Sequence, residues 1–227
     1  MRFLSLCIVL FSLGTGGISS EDLEWIEVNA PQIAESELVW LDVITRTGEA
    51  YQYEAAIRFI EQRIQDQRTS SADPATIGVL RRITLHPHII SGHENTAPLM
   101  IHRQRAVELL GILGGKQSLE ALDEALLRER EIPLLKSIFI AYENIAPPLN
   151  SLRAQYFTKH LRRAHLFATD DALALIILEA IEKIHERTSS MTDGPLFTEI
   201  LSLSNSARSM RNRQAALSLS RFIVGIE

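Results

Sequence analysis

Residues 103–126 read RQRAVELLGILGGKQSLEALDEAL, two short helical patterns folded around the double glycine Gly114-Gly115. On the first, Ala106, Leu109, Leu110 and Leu113 recur at the three-to-four-residue spacing of one helix face. On the second, Leu119, Leu122 and Leu126 do the same, with Glu120, Asp123 and Glu124 on the other side. Setting Leu113 against Ile145, Ile184 and Ile223, at spacings of 32, 39 and 39 residues, brings similar residues together. In that register Ala106 meets Ile138, Ile177 and Ala216, and Leu109 meets Ala141, Ala180 and Leu219. A small residue therefore recurs on an apolar face that a single helix pair cannot bury alone, which predicts stacked neighbours.

Working outward, turn residues cut the chain into segments of helical length. Pro31 opens a pattern ending near Gly48, and Tyr53, Ala56, Ile57, Ile60 and Ile64 mark one face of the next segment. Asp73-Pro74 supplies an N-cap and a proline at the first helical position before Ile77, Leu80 and Ile83. The interval 86–98 has two prolines and no helical period and reads as a loop. Helices are predicted at about 99–113, 118–130, 133–146, 149–166, 171–187, 195–205 and 210–224. No segment alternates over a strand's length, and the chain reads as all-α.

Arg103, Ala106, Leu110, Gly111, Leu113 and Gly114 resemble the R-x-x-A-x-x-x-L-G-x-L-G pattern of HEAT-like repeats of the short kind associated with phycobilisome lyases. The following SLEALDEAL is similar to the second helix of such a repeat. The resemblance is good over 102–127, degenerate over 131–225 and architectural over 31–85, and Tyr142, Ser220, Glu143 and Arg221 depart from the pattern. It implies a HEAT/armadillo-type solenoid, a right-handed α-α superhelix of stacked antiparallel helix pairs, with about four or five pairs. The resemblance concerns fold; bilin attachment is not carried over.

The first twenty residues have another character. Met1 and Arg2 precede the apolar run FLSLCIVLFSL, the small GTGGISS and the acidic EDLE. This is the pattern of a secretory signal peptide, with cleavage after Gly17, Ser19 or Ser20 each fitting. The run is shorter than the roughly 20 residues of a membrane span. The expected organisation is thus a signal peptide at 1–20 and a single solenoid domain at 21–227, exported to a periplasmic or extracellular location without a stable span. Cys7, the sole cysteine, would leave with the signal, so the mature chain would hold no disulfide, catalytic thiol or cysteine-ligated zinc. Losing Arg2 takes the formal charge from −5 to −6. Such mild acidity gives no field for nucleic acid, which is not an expected partner.

Two groups of residues are candidates for function. Glu120, Asp123 and Glu124 on one predicted helix, and Lys159, Arg162 and Arg163 on another, would form opposed charged patches along a repeat surface. They suit a protein or peptide partner held noncovalently, with no cofactor; the plainer reading is a solvated face with salt bridges to neighbouring helices. The second group is His86, His88, His93 and His102 with Glu94, whose side chains are metal ligands by type. Their spacing matches no fixed metal motif, and the His-Pro and Pro-His steps equally mark turns. The expected function is a non-enzymatic scaffold or adaptor, with metal binding or metal-dependent catalysis by the 86–102 segment as the alternative.

Overall fold

A computed structural model describes residues 39–43, 45–46, 50–70, 73–86, 97–167, 171–189 and 194–225. The proposed signal at 1–20, the first predicted helix up to residue 38, and His88, His93 and Glu94 lie outside them. The chain divides into two compact units, Met1–Val43 and Ile44–Glu227. In the first, the described residues are one helical stretch, 39–43.

The described residues of the second unit form nine α-helices and no strand: α1 (Ala50–Gln65), α2 (Pro74–Leu85), α3 (Ala97–Leu113), α4 (Gly115–Arg128), α5 (Ile132–Ile145), α6 (Ser151–Phe167), α7 (Asp171–Thr188), α8 (Gly194–Ser206) and α9 (Met210–Val224). The ends follow local chemistry. Asp73 caps α2 with its carboxylate, accepting from the amides of Ala75 and Thr76 at 3.2 and 3.3 Å, and Pro74 occupies the first turn. Gly114, at φ +64°, reverses the chain between α3 and α4. Ala146 closes α5 in the left-handed region at φ +45°, just before Pro147.

Packing alternates. Helices α1, α3, α5, α7 and α9 contact one another in succession as one layer, and α2, α4, α6 and α8 do so as a second. Contacts between consecutive helices, such as α3 with α4 and α8 with α9, join the layers. Each helix thus meets the helix two places along as well as a sequence neighbour, which is the arrangement of a helical solenoid. The residues aligned in sequence fall on the odd layer: Ala106, Ile138, Ile177 and Ala216 are all fully buried, and Leu109, Ala141, Ala180 and Leu219 nearly so. Where the pattern departs, the layer adapts. Tyr142 stands in the place of Leu110 and is equally buried, whereas Arg213, in register with the buried Arg103, is exposed.

Arg103 ties successive helices together. Its Nε donates to the Thr84 carbonyl at the end of α2 at 3.0 Å, and its Nη2 pairs with Glu129, just past α4. The other oxygen of Glu129 accepts from the amides of Arg130 and Glu131, both at 2.7 Å, shaping the turn into α5.

Gly111 is where α3 comes against α5: a Cβ there would lie 2.9 Å from Ala141 Cβ and 3.0 Å from its Cα. Gly111→Ala is expected to destabilise the chain by about 1–3 kcal/mol through overpacking. Gly78→Ala, on an exposed position where a Cβ meets nothing within 4 Å, should stabilise it by up to about 1 kcal/mol. Urea unfolding of the two variants checks the opposite signs.

Candidate functional site

The acidic and basic candidates lie on α4 and α6, which are neighbours in the even layer. The two sets do not pair with each other in any of the ion pairs seen among the described residues. Asp123 instead receives both guanidinium arms of Arg153 at 2.9 Å, one on each oxygen, and the Tyr142 hydroxyl. Burial first, then the Asp123 carboxylate, pushes the Tyr142 phenol far above its ordinary range, so it stays a donor. Glu124 binds Arg81 of α2, with Nε at 2.8 Å, and Arg128 at 2.7 Å. Arg162 reaches across to Glu199 of α8 at 2.9 Å. Arg163 donates to the Arg130 carbonyl at 3.4 Å.

An ion pair therefore connects each successive pair of even-layer helices: Arg81 with Glu124, Asp123 with Arg153, and Arg162 with Glu199. Three of the six candidates are members of this ladder. Glu120 and Lys159 stand more openly: Glu120 is exposed with Lys116 at 3.9 Å, and Lys159 is exposed. The sequence named one side of each bridge as a site candidate; of the partners it noted Arg153, among the basic residues of the predicted 149–166 helix, and missed Arg81 and Glu199. Only Arg153 carried a signal, as part of the basic helix; helix periodicity does not say which neighbour a charge will face.

Between the basic candidates Lys159 and Arg162 lies His160, which is almost wholly buried, with Nε2 at 3.2 Å from the Leu126 carbonyl and its ring edge-on to Phe139. Burial foremost, with the fields of Lys159 and Arg163, lowers its pKa from 6.5 to about 4, while the Leu126 carbonyl and Glu129 oppose the shift. The ring is neutral at physiological pH and acts as packing.

Of the histidine group, His86 ends α2 and packs edge-on against Tyr53 at 5.4 Å. His102 lies half-buried on α3, its pKa lowered by burial against the raising effect of Glu54. No group of three or more His, Cys, Asp or Glu able to hold a metal occurs among the described residues. No helix among them is long and apolar enough to cross a membrane.

A cavity of about 370 Å³ opens beside the start of the stack, lined among others by Thr45, by Tyr53 of α1, by Gly78, Arg82 and Leu85 of α2, and by the histidine candidate His86 at its end. Sequence reading did not single it out. The available signal was Gly78 four residues before Arg82, which places an absent side chain and a guanidinium on one helix face.

Comparison of the chain with protein-family models, with curated proteins and with solved structures finds no match.

Two predictions follow from these environments. Asp123→Ala strands Arg153 and Tyr142 and should cost about 2–3 kcal/mol, whereas Glu120→Ala should stay within about 0.5 kcal/mol; chemical denaturation compares them. The folded state keeps His160 neutral down to about pH 4, while the unfolded chain protonates it near 6.5. Its contribution is complete above about pH 6.5 and declines as pH falls toward 4, by up to about 1.4 kcal/mol per pH unit. Urea midpoints between about pH 7 and 5 should fall less steeply for His160→Gln. Equal slopes would mean the buried ring is not the source.

Proposed function

We propose that this chain is a non-enzymatic, exported scaffold or adaptor of the HEAT-like kind, which holds a protein or peptide partner along the even layer. The supporting observation is that α4 and α6 are stack neighbours, so acidic and basic side chains occupy adjacent helices of one layer. Stacked helices present an extended surface on which charges at successive helices can read an extended partner. Within it the ladder residues Asp123, Glu124 and Arg162 maintain the spacing of the helices. Glu120, Lys159 and Arg163 are then the side chains that meet the partner. Export follows from the basic, apolar and small-residue pattern of 1–20.

Affinity capture from the source cell's envelope extract, comparing the wild type with Lys159→Glu/Arg163→Glu, tests the reading. Both substitutions avoid the inter-helix ion pairs, so the variant should fold. Specific retention by the wild type, lost in the variant, is the expected result. Equal retention by both would remove the basic face of α6 from the interface, and a product still beginning at Met1 on N-terminal sequencing would rule out the cleaved signal.

A further inference from the structure

Helix α9 differs from the rest of the stack on its solvent side. Among the described residues it exposes four large apolar side chains, Met210, Leu217, Phe222 and Val224, where no other helix exposes more than two. From Ile200 to Gly225 the only charged residues are Arg208, Arg211, Arg213 and Arg221, all exposed, in a chain of net charge −5. No ion pair among the described residues engages any of the four. Glu199, the single charge of α8, is held by Arg162, and Glu186 of α7 pairs with Lys183. The charge of this segment is thus opposite in sign to that of the whole chain, and close pairing does not neutralise it.

The helix itself is well seated. Asn212, Ala216, Leu219 and Ser220 are buried where α9 packs on α7 and α8, and Ser209 and Gly225 cap its ends. The arrangement on the other side narrows what can cover it. Seven residues apart, Met210, Leu217 and Val224 run nearly along one line of the helix, but Arg221 stands almost on that line. Phe222 lies apart from it, its ring edge-on to His185 at 5.1 Å. A partner helix is met by one continuous apolar seam with charges at its rim, and here the two kinds of side chain are interleaved. A second copy meeting α9 face to face would set arginine against arginine. An anionic bilayer surface accepts the mixture: apolar side chains enter between headgroups while the long arginine stems keep their guanidiniums at the phosphates.

We propose that the exposed side of α9 is a docking surface for an anionic phospholipid bilayer, with its arginines at the lipid phosphates and Met210, Leu217, Phe222 and Val224 among the headgroups. The surface does not rest on the partner-binding reading above. It uses α9 of the odd layer, not α4 and α6 of the even one, and either function can fail without the other.

The experiment is co-sedimentation of the full chain with vesicles of phosphatidylcholine alone and of phosphatidylcholine with phosphatidylglycerol in equal parts. It is repeated on Arg211→Glu/Arg213→Glu and on Met210→Ser/Leu217→Ser. The wild type is expected to bind the anionic vesicles at least about tenfold more tightly than the neutral ones, and less tightly as salt is raised. Arg211→Glu/Arg213→Glu should weaken binding to anionic vesicles by about thirtyfold or more, and Met210→Ser/Leu217→Ser by about tenfold. All four side chains are exposed, so both variants should melt with the wild type. Attachment through the apolar run at 3–13 would survive both sets of substitutions, so binding by either variant equal to that of the wild type overturns the proposal. Equal binding to neutral and anionic vesicles overturns it as well. If neither vesicle binds, retention of polyglutamate by the wild type and not by Arg211→Glu/Arg213→Glu assigns the face to an acidic polypeptide instead. A dimer abolished by Met210→Ser/Leu217→Ser, again without vesicle binding, assigns it to a second copy. Should one variant fail to fold, the other and the lipid comparison still decide.

Discussion

The stack depends on alternate helices coming close enough to share a core, and the approach of α3 to α5 at Gly111 and Ala141 shows what that demands. No side chain larger than hydrogen fits at Gly111 without moving the Ala141 backbone or its methyl. The same layer fills its later contacts differently, with Ala180 and Ala216 buried on α7 and α9. Dispersion and apolar burial reward such proximity only when the surfaces interlock. A helix pair taken alone would leave this face in water, so the pair and its neighbours are stable together.

Polar chemistry then sets register within the apolar stack. Arg103 bridges the end of α2 to the turn after α4, and Glu129 spends its second oxygen on the amides of that turn. Breaking such a buried pair leaves a charge without compensation, so misaligned neighbours are disfavoured. On the other layer, three ion pairs join α2, α4, α6 and α8 in order. Those bridges are more exposed and individually weaker, but Asp123 gains from its two-armed contact with Arg153 and from Tyr142.

The charges on this layer divide into two kinds. Charges bound to neighbouring helices maintain spacing, whereas others, such as Lys159, stand exposed. The cavity beside α2 is of a different kind. It brings Tyr53, Arg82, Leu85 and His86 together at the first two helices of the stack.

Much of the architecture was legible in the order of residues. Asp73-Pro74, Gly114 and Pro147-Pro148 mark helix ends because backbone dihedrals and caps are local properties. The register of Ala106, Ile138, Ile177 and Ala216 picked out one layer because its burial repeats every helix pair. The sequence by itself thus determined the helical class, the helix boundaries within a few residues, and which face of the odd helices is apolar. Only the tertiary structure decided that Asp123 faces Arg153, that Arg162 faces Glu199, that Arg103 is buried while Arg213 is exposed, and that Tyr53 lines a cavity with Arg82. Helical period says which residues share a side of one helix, whereas the partner of a charge depends on the spacing and rotation of a neighbour some 26 to 43 residues away.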